Sequence, residues 1–234
     1  MQLFYNSDIK QGATTFFFDK EESKHIIKVL RKKESDKIFI TNGLGFLFES
    51  EIILASEKKC EVKITKETFQ EPNTFYTHIA VAPTKMNDRL EWFLEKATEI
   101  GIHEITPIIC DHSERKVYKI DRAEKIIQAA MKQSLHYYIP KINEPVSLSQ
   151  FIKSNITGQK FIAHCEETDK KSFKNEVKRD EKITILIGPE GDFSTKEINL
   201  AIENKFIPVT LGNTRLRTET AALVACHTIA LINE

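Results

Sequence analysis

The first third of the chain, to about Glu71, alternates short apolar runs with turns. Residues 16–18, 37–41, 45–52 and 60–64 each read as strands, being short, rich in β-branched or aromatic side chains and bounded by turn formers. Asn42-Gly43 stands between two of them, and that pair tolerates the positive φ angles of a hairpin turn. One helix, over 21–30, interrupts the strands, because Ile26, Ile27 and Leu30 recur at helical spacing. Four strands and one helix in some seventy residues predict a small β-barrel.

The pattern changes across Gln70-Glu71-Pro72-Asn73-Thr74, which predicts a boundary between a domain over 1–72 and a second over 73–234. Beyond it, strands at 78–82, 105–110, 161–164, 183–187 and 206–211 alternate with helices. Leu90, Phe93, Leu94, Ala97 and Ile100 mark one helical face, with Asp88 and Glu91 as its expected cap and Gly101 as its stop. A long helix is expected over 121–138, and others from Ser194 and Thr218. Runs such as Ile183-Thr184-Ile185-Leu186-Ile187 imply a parallel sheet covered on both faces. The last helix is apolar on nearly every side from Ala221 to Ile232, so it is expected to be buried.

Composition changes this picture little. The 234 residues are 41% hydrophobic, enough for a core, and the chain reads as soluble and globular. No apolar run is long enough to span a bilayer, and MQLFYNSDIK lacks the build of an export signal, so cytoplasm is the expected location. Cys60, Cys110, Cys165 and Cys226 are far apart and form no CxxC pair, which argues against a zinc site or a disulfide framework. Lysine plus arginine balance aspartate plus glutamate at 34 each, yet the stretch 115–141 is basic. There Arg115, Lys116, Lys119, Arg122, Lys125, Lys132 and Lys141 are opposed by Asp121 and Glu124 alone. Such a patch attracts a polyanion even on a neutral protein.

Ligands of open parallel sheets bind beyond the carboxyl ends of the strands, and three ends here are unusual. One runs into Ala163-His164-Cys165-Glu166. The second reads Ile187-Gly188-Pro189-Glu190-Gly191-Asp192-Phe193-Ser194, with Gly188 and Gly191 allowing close backbone approach and Ser194 and Glu197 matching a capping box. It is neither a P-loop nor a dinucleotide fingerprint. The third, Leu211-Gly212-Asn213-Thr214-Arg215-Leu216-Arg217-Thr218, sets two arginines at the mouth of the apolar helix, where they suit an anion.

IGPEGDFS followed by LGNTRLRTETAAL resembles the paired signature of the RsmE branch of the SPOUT RNA methyltransferases. Supporting matches are His25-Ile26-Ile27-Lys28-Val29-Leu30-Arg31, Lys85, Arg89, Glu91, Lys96-Ala97-Thr98-Glu99-Ile100-Gly101, Ile105-Thr106-Pro107, Ser113-Glu114-Arg115 and Gln133-Ser134. The resemblance implies an α/β protein, with an N-terminal PUA-like β-barrel followed by a trefoil-knotted domain built on a mainly parallel sheet. It further implies an S-adenosylmethionine pocket comprising His164, Ile187, Gly188, Glu190, Gly191, Leu211, Gly212, Leu216, Arg217 and Thr218, a homodimer, and methylation at N3 of a uridine in small-subunit (16S) ribosomal RNA, free or within the assembled subunit. Arg31, Lys85, Arg89, Arg115, Lys116 and Gln133 are then the expected RNA contacts.

One segment departs from the family: Lys132-Gln133-Ser134-Leu135-His136 stands where many members read EQSGR, and Tyr137, Tyr138 and Lys141 are expected to take over RNA contacts there. N3 of uridine must lose a proton before it attacks, so a base or a cation is needed. Arg217 is the leading candidate cation; Glu190 is a candidate base, though its favoured role is structural, holding loop amides. Cys165 is expected to form pocket wall. Competing readings are methylation at another RNA position (a ribose hydroxyl or transfer RNA), a non-catalytic RNA-binding module, and a nucleotide-dependent oxidoreductase. The absence of GxGxxG counts against the last.

Overall fold

The computed structural model describes residues 1–167 and 169–234. The chain forms two compact units: Met1–Pro72 with Met131–Ile139, and Asn73–Ala130 with Pro140–Glu234.

In the first unit, β1 (Leu3–Tyr5), β2 (Thr15–Phe17), β3 (Lys37–Thr41), β4 (Phe46–Leu54) and β5 (Glu61–Phe69) form one sheet in the order β1-β3-β4-β5-β2. All neighbours are antiparallel except β1 and β3. The expected helix is present in an altered form. Asp19 caps α1 (Lys20–Lys24), which widens at once into a π-helical turn, His25–Val29, and ends on Arg31 with φ 55. The π turn keeps Ile26 fully buried. It packs with Phe4, Phe18, Ile38, Ile40, Phe48 and Val62 in the core of this unit. Alternation along β3 and β4 sends Ile38, Ile40, Phe48 and Ile52 inward, as a period of two requires. Residues 137–139 add an edge to the same unit: Gly45 N–H donates to the Tyr137 carbonyl (2.9 Å), Ile139 N–H to the Gly43 carbonyl (3.0 Å) and the Tyr138 hydroxyl to the Gln70 carbonyl (2.7 Å). Tyr138, expected to stack on RNA, is thus tied to the strand ends, and Gly45 is required because a Cβ there would collide with its hydroxyl.

The second unit contains β6 (Tyr76–Val81), α2 (Asn87–Ile100), β7 (Glu104–Ile109), α3 (Asp121–Ser134, whose last turn belongs to the first unit), β8 (Lys141–Ile142), β9 (Val146–Ser147) and α4 (Leu148–Ile152). These are followed by β10 (Gln159–Ala163), β11 (Lys171–Ser172), α5 (Phe173–Glu176), β12 (Lys182–Ile187), α6 (Thr195–Glu203), β13 (Ile207–Thr210) and α7 (Thr218–Asn233). The sheet order is β11-β13-β10-β12-β6-β7-β8, with β9 also on β7, and every pairing is parallel. As expected for a sheet covered on both faces, Ile183, Ile185, Leu186 and Phe161 are fully buried. Gly101, at φ 98, stops α2 as expected. The expected Asp88/Glu91 cap is not formed; Met86 takes the cap position without a side-chain bond, and Glu91 instead pairs with Arg122 at 2.7 Å. Among the described residues, no helix is long and apolar enough to cross a membrane.

At the amino ends of these strands lies a buried polar cluster. Asn143 Nδ2 donates to Thr106 Oγ1 (2.7 Å) and to Glu104 Oε1 (2.8 Å), Tyr76 donates to Glu104 Oε2 (3.1 Å), and His78 Nε2 lies 2.7 Å from Thr106 Oγ1. Burial pushes the His78 imidazole down to about 4, helped by Lys182 and Lys141 against the pull of Glu104. Burial acts to raise Glu104, but the Asn143 bond and the nearby Lys141 outweigh it and leave the carboxyl lowered. Both groups favour the folded state least in acid. In the unfolded chain His78 takes up a proton near 6.5, whereas the folded chain resists until about 4, so stability is full above 6.5 and is lost as pH falls through that window. The loss from His78 is about 3 kcal/mol at most. Urea titrations between pH 7 and pH 4 should show this slope in the wild type and a flatter one in His78→Asn.

Candidate functional site

Three adjacent strands build the site. β13, β10 and β12 lie side by side, and Ala163 at the end of β10 is in register with Ile187 on one side and Val209 on the other. Their carboxyl ends therefore emerge level, and the loops 164–166, 188–193 and 211–217 meet around one opening. A cleft of about 350 Å³ is lined there by Ile187, Gly188, Glu190, Arg217 and Thr218 together with Cys165. A smaller hollow of about 90 Å³ sharing Ala163, Cys165 and Leu216 with it is lined also by His164, Leu211 and Gly212.

Short side-chain bonds hold the loops against one another. Cys165 N–H donates to Asp192 Oδ2 (2.7 Å), Thr195 Oγ1 donates to Glu166 Oε1 (2.6 Å), and Thr218 Oγ1 donates to the Gly188 carbonyl (3.0 Å). Ser194 and Glu197 form the expected capping box, starting α6 as soon as the loop ends. The same Glu197 accepts from Asp111 N–H (2.9 Å), and Ser194 donates to Asp111 Oδ2 (2.7 Å), tying in the loop after β7. His112 Nδ1 lies 3.2 Å and 3.1 Å from the Gly191 and Asp192 carbonyls. The network is dense enough to hold the opening in one shape before any ligand arrives.

The glycines serve different ends. A Cβ on Gly191 would sit 3.1 Å from His112, and one on Gly188 would sit 3.1 Å from the Phe193 ring. Gly212 meets nothing, but its φ of 149 is a conformation side chains rarely adopt. Electrostatically the rim is mixed. Arg215 and Arg217 are exposed at the mouth, Glu190 and Asp192 line the cleft, and burial, with Lys170 nearby, holds the His164 imidazole below its ordinary range. Arg217 occupies the cap position of α7 in an extended conformation and leaves its guanidinium uninvolved in capping.

Of the residues expected in a pocket, Ile187, Gly188, Glu190, Leu216, Arg217 and Thr218 line the larger hollow, and His164, Leu211 and Gly212 the smaller. Gly191 lines neither and serves instead the close packing on His112. Sequence reasoning omitted Ala163, Pro189, Asp192 and Ala221; the position of Asp192 inside the same loop was the available signal. The expected RNA contacts divide between the units. Arg31 and Gln133, both exposed, belong to the first. Lys85, Arg89, Arg115 and Lys116 belong to the second, where the Arg115 Nη2 donates to the Lys85 carbonyl (3.0 Å) and the Arg89 Nε lies 3.9 Å from Glu219 Oε1.

A parallel α/β unit with a preorganised small-molecule cleft at three strand ends, joined to a β-rich unit, is the class of protein that fold and site define. The family model for an RNA methyltransferase domain matches residues 71–230, and that for an RNA methyltransferase PUA domain matches residues 18–65. The chain belongs to this family of RNA methyltransferases. Ribosomal RNA small subunit methyltransferase E of Buchnera aphidicola subsp. Acyrthosiphon pisum is 33% identical over 220 residues, covering 90% of this chain and 85% of that one. The crystal structure of a Porphyromonas gingivalis protein described as an rRNA methyltransferase is 38% identical, with a TM-score of 0.92 over 100% of this chain and 98% of that one. A Legionella pneumophila methyltransferase structure with the bound cofactor SAM is 28% identical, with a TM-score of 0.88 over 99% and 97%.

Because the Phe193 ring is itself 2% exposed and packed in the core, it cannot move aside for a new methyl group at position 188. Gly188→Ala is expected to cost about 1–3 kcal/mol, read as a lower urea midpoint with an unchanged slope.

Proposed function

We propose that this chain transfers a methyl group from S-adenosylmethionine to N3 of a uridine in small-subunit (16S) ribosomal RNA. The observation that carries the reading is the level convergence of the β10, β12 and β13 ends on one cleft lined by the paired loops 187–193 and 211–218. Relatives of nearly the same length are named ribosomal RNA small subunit methyltransferase E, and a 28% identical methyltransferase structure holds SAM. In this reading residues 1–72 are an RNA-binding PUA-like domain and 73–234 the methyltransferase domain, threaded as the trefoil knot that the family resemblance implies. The reaction belongs to the cytoplasm, on free RNA or the assembled subunit.

The cleft suits that cofactor. Its volume of about 350 Å³ falls within the range of small-molecule sites. Ile187, Leu211, Leu216 and Ala221 offer apolar surface for a purine. Asp192 favours a sulfonium, while the arginines at the mouth favour a carboxylate. When bound, the cofactor supplies an electrophilic methyl group.

The protein's part is chiefly positioning, since holding two reactants in line replaces an encounter in solution. The bonds from Asp192 to Cys165 and from Thr218 to Gly188 fix the walls against which both must lie. N3 lies on the pairing edge of uridine, so the base must be unpaired or turned out of its stack to enter. Its proton passes to solvent water, and Arg217 at the mouth is the cation that stabilises the imide anion left behind. Lys85, Arg89, Arg115, Lys116, Arg31 and Gln133 supply phosphate and sugar contacts, which position the RNA without reading its sequence.

A homodimer is part of the same reading. α7 buries Ala222, Ala225, Cys226 and Ile229 within its own unit, yet Leu231 stays 57% exposed and shares a face with Val224 and His227. An apolar helix with one uncovered face calls for a partner, and a second copy of α7 would cover it.

Mass mapping of 16S ribosomal RNA from cells lacking this protein should show one methylated uridine missing; an unchanged map would end the proposal. Purified Arg217→Ala should melt like wild type and lose about 100-fold or more in turnover, whereas wild-type turnover would remove Arg217 from the chemistry. Val224→Glu with Leu231→Glu should halve the mass measured by light scattering, while a mass already at one chain in the wild type rules out the dimer.

A further inference from the structure

Glu190 has one carboxylate oxygen already engaged. Its Oε1 accepts the backbone N–H of Lys85 at 3.0 Å. The carbonyl of the same residue accepts Arg115 Nη2, also at 3.0 Å. Both sides of Lys85 are therefore gripped, by the loop after β12 and by the loop after β7, and His112 bonds those two loops to each other through the Gly191 and Asp192 carbonyls. Lys85 lies two residues ahead of α2, in the connection from β6.

The far end of this segment is held as well. Arg89, in the first turn of α2, has its Nε 3.9 Å from Oε1 of Glu219, whose side chain is 9% exposed. Glu219 follows directly on Thr218, the residue bonded to the Gly188 carbonyl. Arg115 Nε and Glu219 Oε2 are buried with no hydrogen-bond partner among the described residues. Groups left so are tolerated where the surroundings dictate their place. The half-buried Arg115 and the buried Glu219 thus each leave one atom without a partner while another atom holds residues 85–89, a segment that itself packs no core side chain before Leu90.

The held segment is basic and outward. The Lys85 side chain is 70% exposed, opposed by a loose, exposed contact to Glu114 at 3.8 Å that contributes little. Arg89 is about one-third exposed. Lys85 is bonded to Glu190 of the cleft lining, and Arg89 is paired with Glu219 next to Thr218 of that lining, with the exposed Asp88 between them.

We infer that Glu190 is a positioning residue, not the base for the uridine proton: it clamps the Lys85–Arg89 segment to the cofactor loop and so makes that segment the RNA-facing wall of the active site. The inference rests on the methyltransferase reading above and goes beyond it, because it assigns Glu190 to RNA placement through a peptide hydrogen bond. A clamp needs only an acceptor oxygen, which glutamine also carries. A base needs a carboxylate, which glutamine lacks. The two roles therefore separate on one conservative change.

The test measures methyl transfer to 16S RNA by wild type, Glu190→Gln, Glu190→Ala, Arg115→Ala and the Glu190→Ala/Arg115→Ala double variant, each across pH 6 to 9. Each variant's affinity for S-adenosylmethionine is determined calorimetrically. At saturating S-adenosylmethionine, Glu190→Gln is expected to keep the wild-type pH profile and most of the RNA turnover that Glu190→Ala loses, and Glu190→Ala to lose about tenfold or more in kcat/KM for RNA, chiefly through KM. Because Glu190 and Arg115 grip one peptide, the double variant should be little worse than either single change. Loss of kcat in Glu190→Gln comparable to the alanine variant, or multiplying losses in the double variant, would overturn the inference. Should Glu190→Ala fail to fold, the glutamine variant and its pH profile decide alone. A wild type that binds the cofactor but methylates no RNA sinks the underlying reading instead, which keeps the two failures apart.

Discussion

The register of three parallel strands is the constraint on which the rest of this molecule depends. Ala163 faces Ile187 on one side and Val209 on the other, so the chain leaves the sheet at one level in three neighbouring places. Parallel pairing allows no hairpins, and each loop must turn straight into a helix or a crossover. Ser194 starts α6 immediately after the loop from β12, and Arg217 stands at the start of α7 after the loop from β13. A slip of one residue in either pairing would turn every side chain on that strand to the other face. It would also separate Gly188 from Thr218 and Cys165 from Asp192, the two bonds that close the cleft.

Around that alignment the loops use polar side chains where a core would use apolar ones. Asp192, Glu197, Thr218 and Glu190 each accept from or donate to a backbone group of a neighbouring loop. Such bonds are individually modest, but each also removes the cost of an unsatisfied backbone group in a partly buried place. A cleft so built reaches its working shape before ligand arrives, which is what positional catalysis requires. The opposite end of the sheet is organised on the same principle, for stability. There bonds link His78, Thr106, Asn143 and Glu104, burial holds the imidazole low, and the Asn143 bond helps to hold the carboxyl low within the same cluster.

Much of this was legible in the chain. The period of two in residues 37–41 and 45–52, the buried run 183–187, the capping box at Ser194 and the stop at Gly101 each name a local conformation that the structure adopts. The paired glycine loops could be read as a site because glycine, arginine and a capping serine just past a strand have few other uses together. The short pieces β8, β9 and β11 escaped notice, since two residues carry no period. So did the widening of α1 into a π turn, which leaves Ile26 in the core and alters the surface around it. The Asp88/Glu91 cap did not form, and Glu91 pairs instead with Arg122, thirty-one residues on.

By itself, then, the sequence determined which segments are strands and helices, which faces they bury, and that glycine-rich loops follow two of the strands. Those properties depend on neighbours within a few residues, where sterics and periodicity act. Only the tertiary structure decided that β13, β10 and β12 are neighbours, that residues 131–139 join the first unit, and that Glu190 spends an oxygen on Lys85, more than a hundred positions earlier. Contacts of that range are selected by the burial and hydrogen bonding of the whole chain at once, and no local pattern encodes which distant partner a carboxylate will meet.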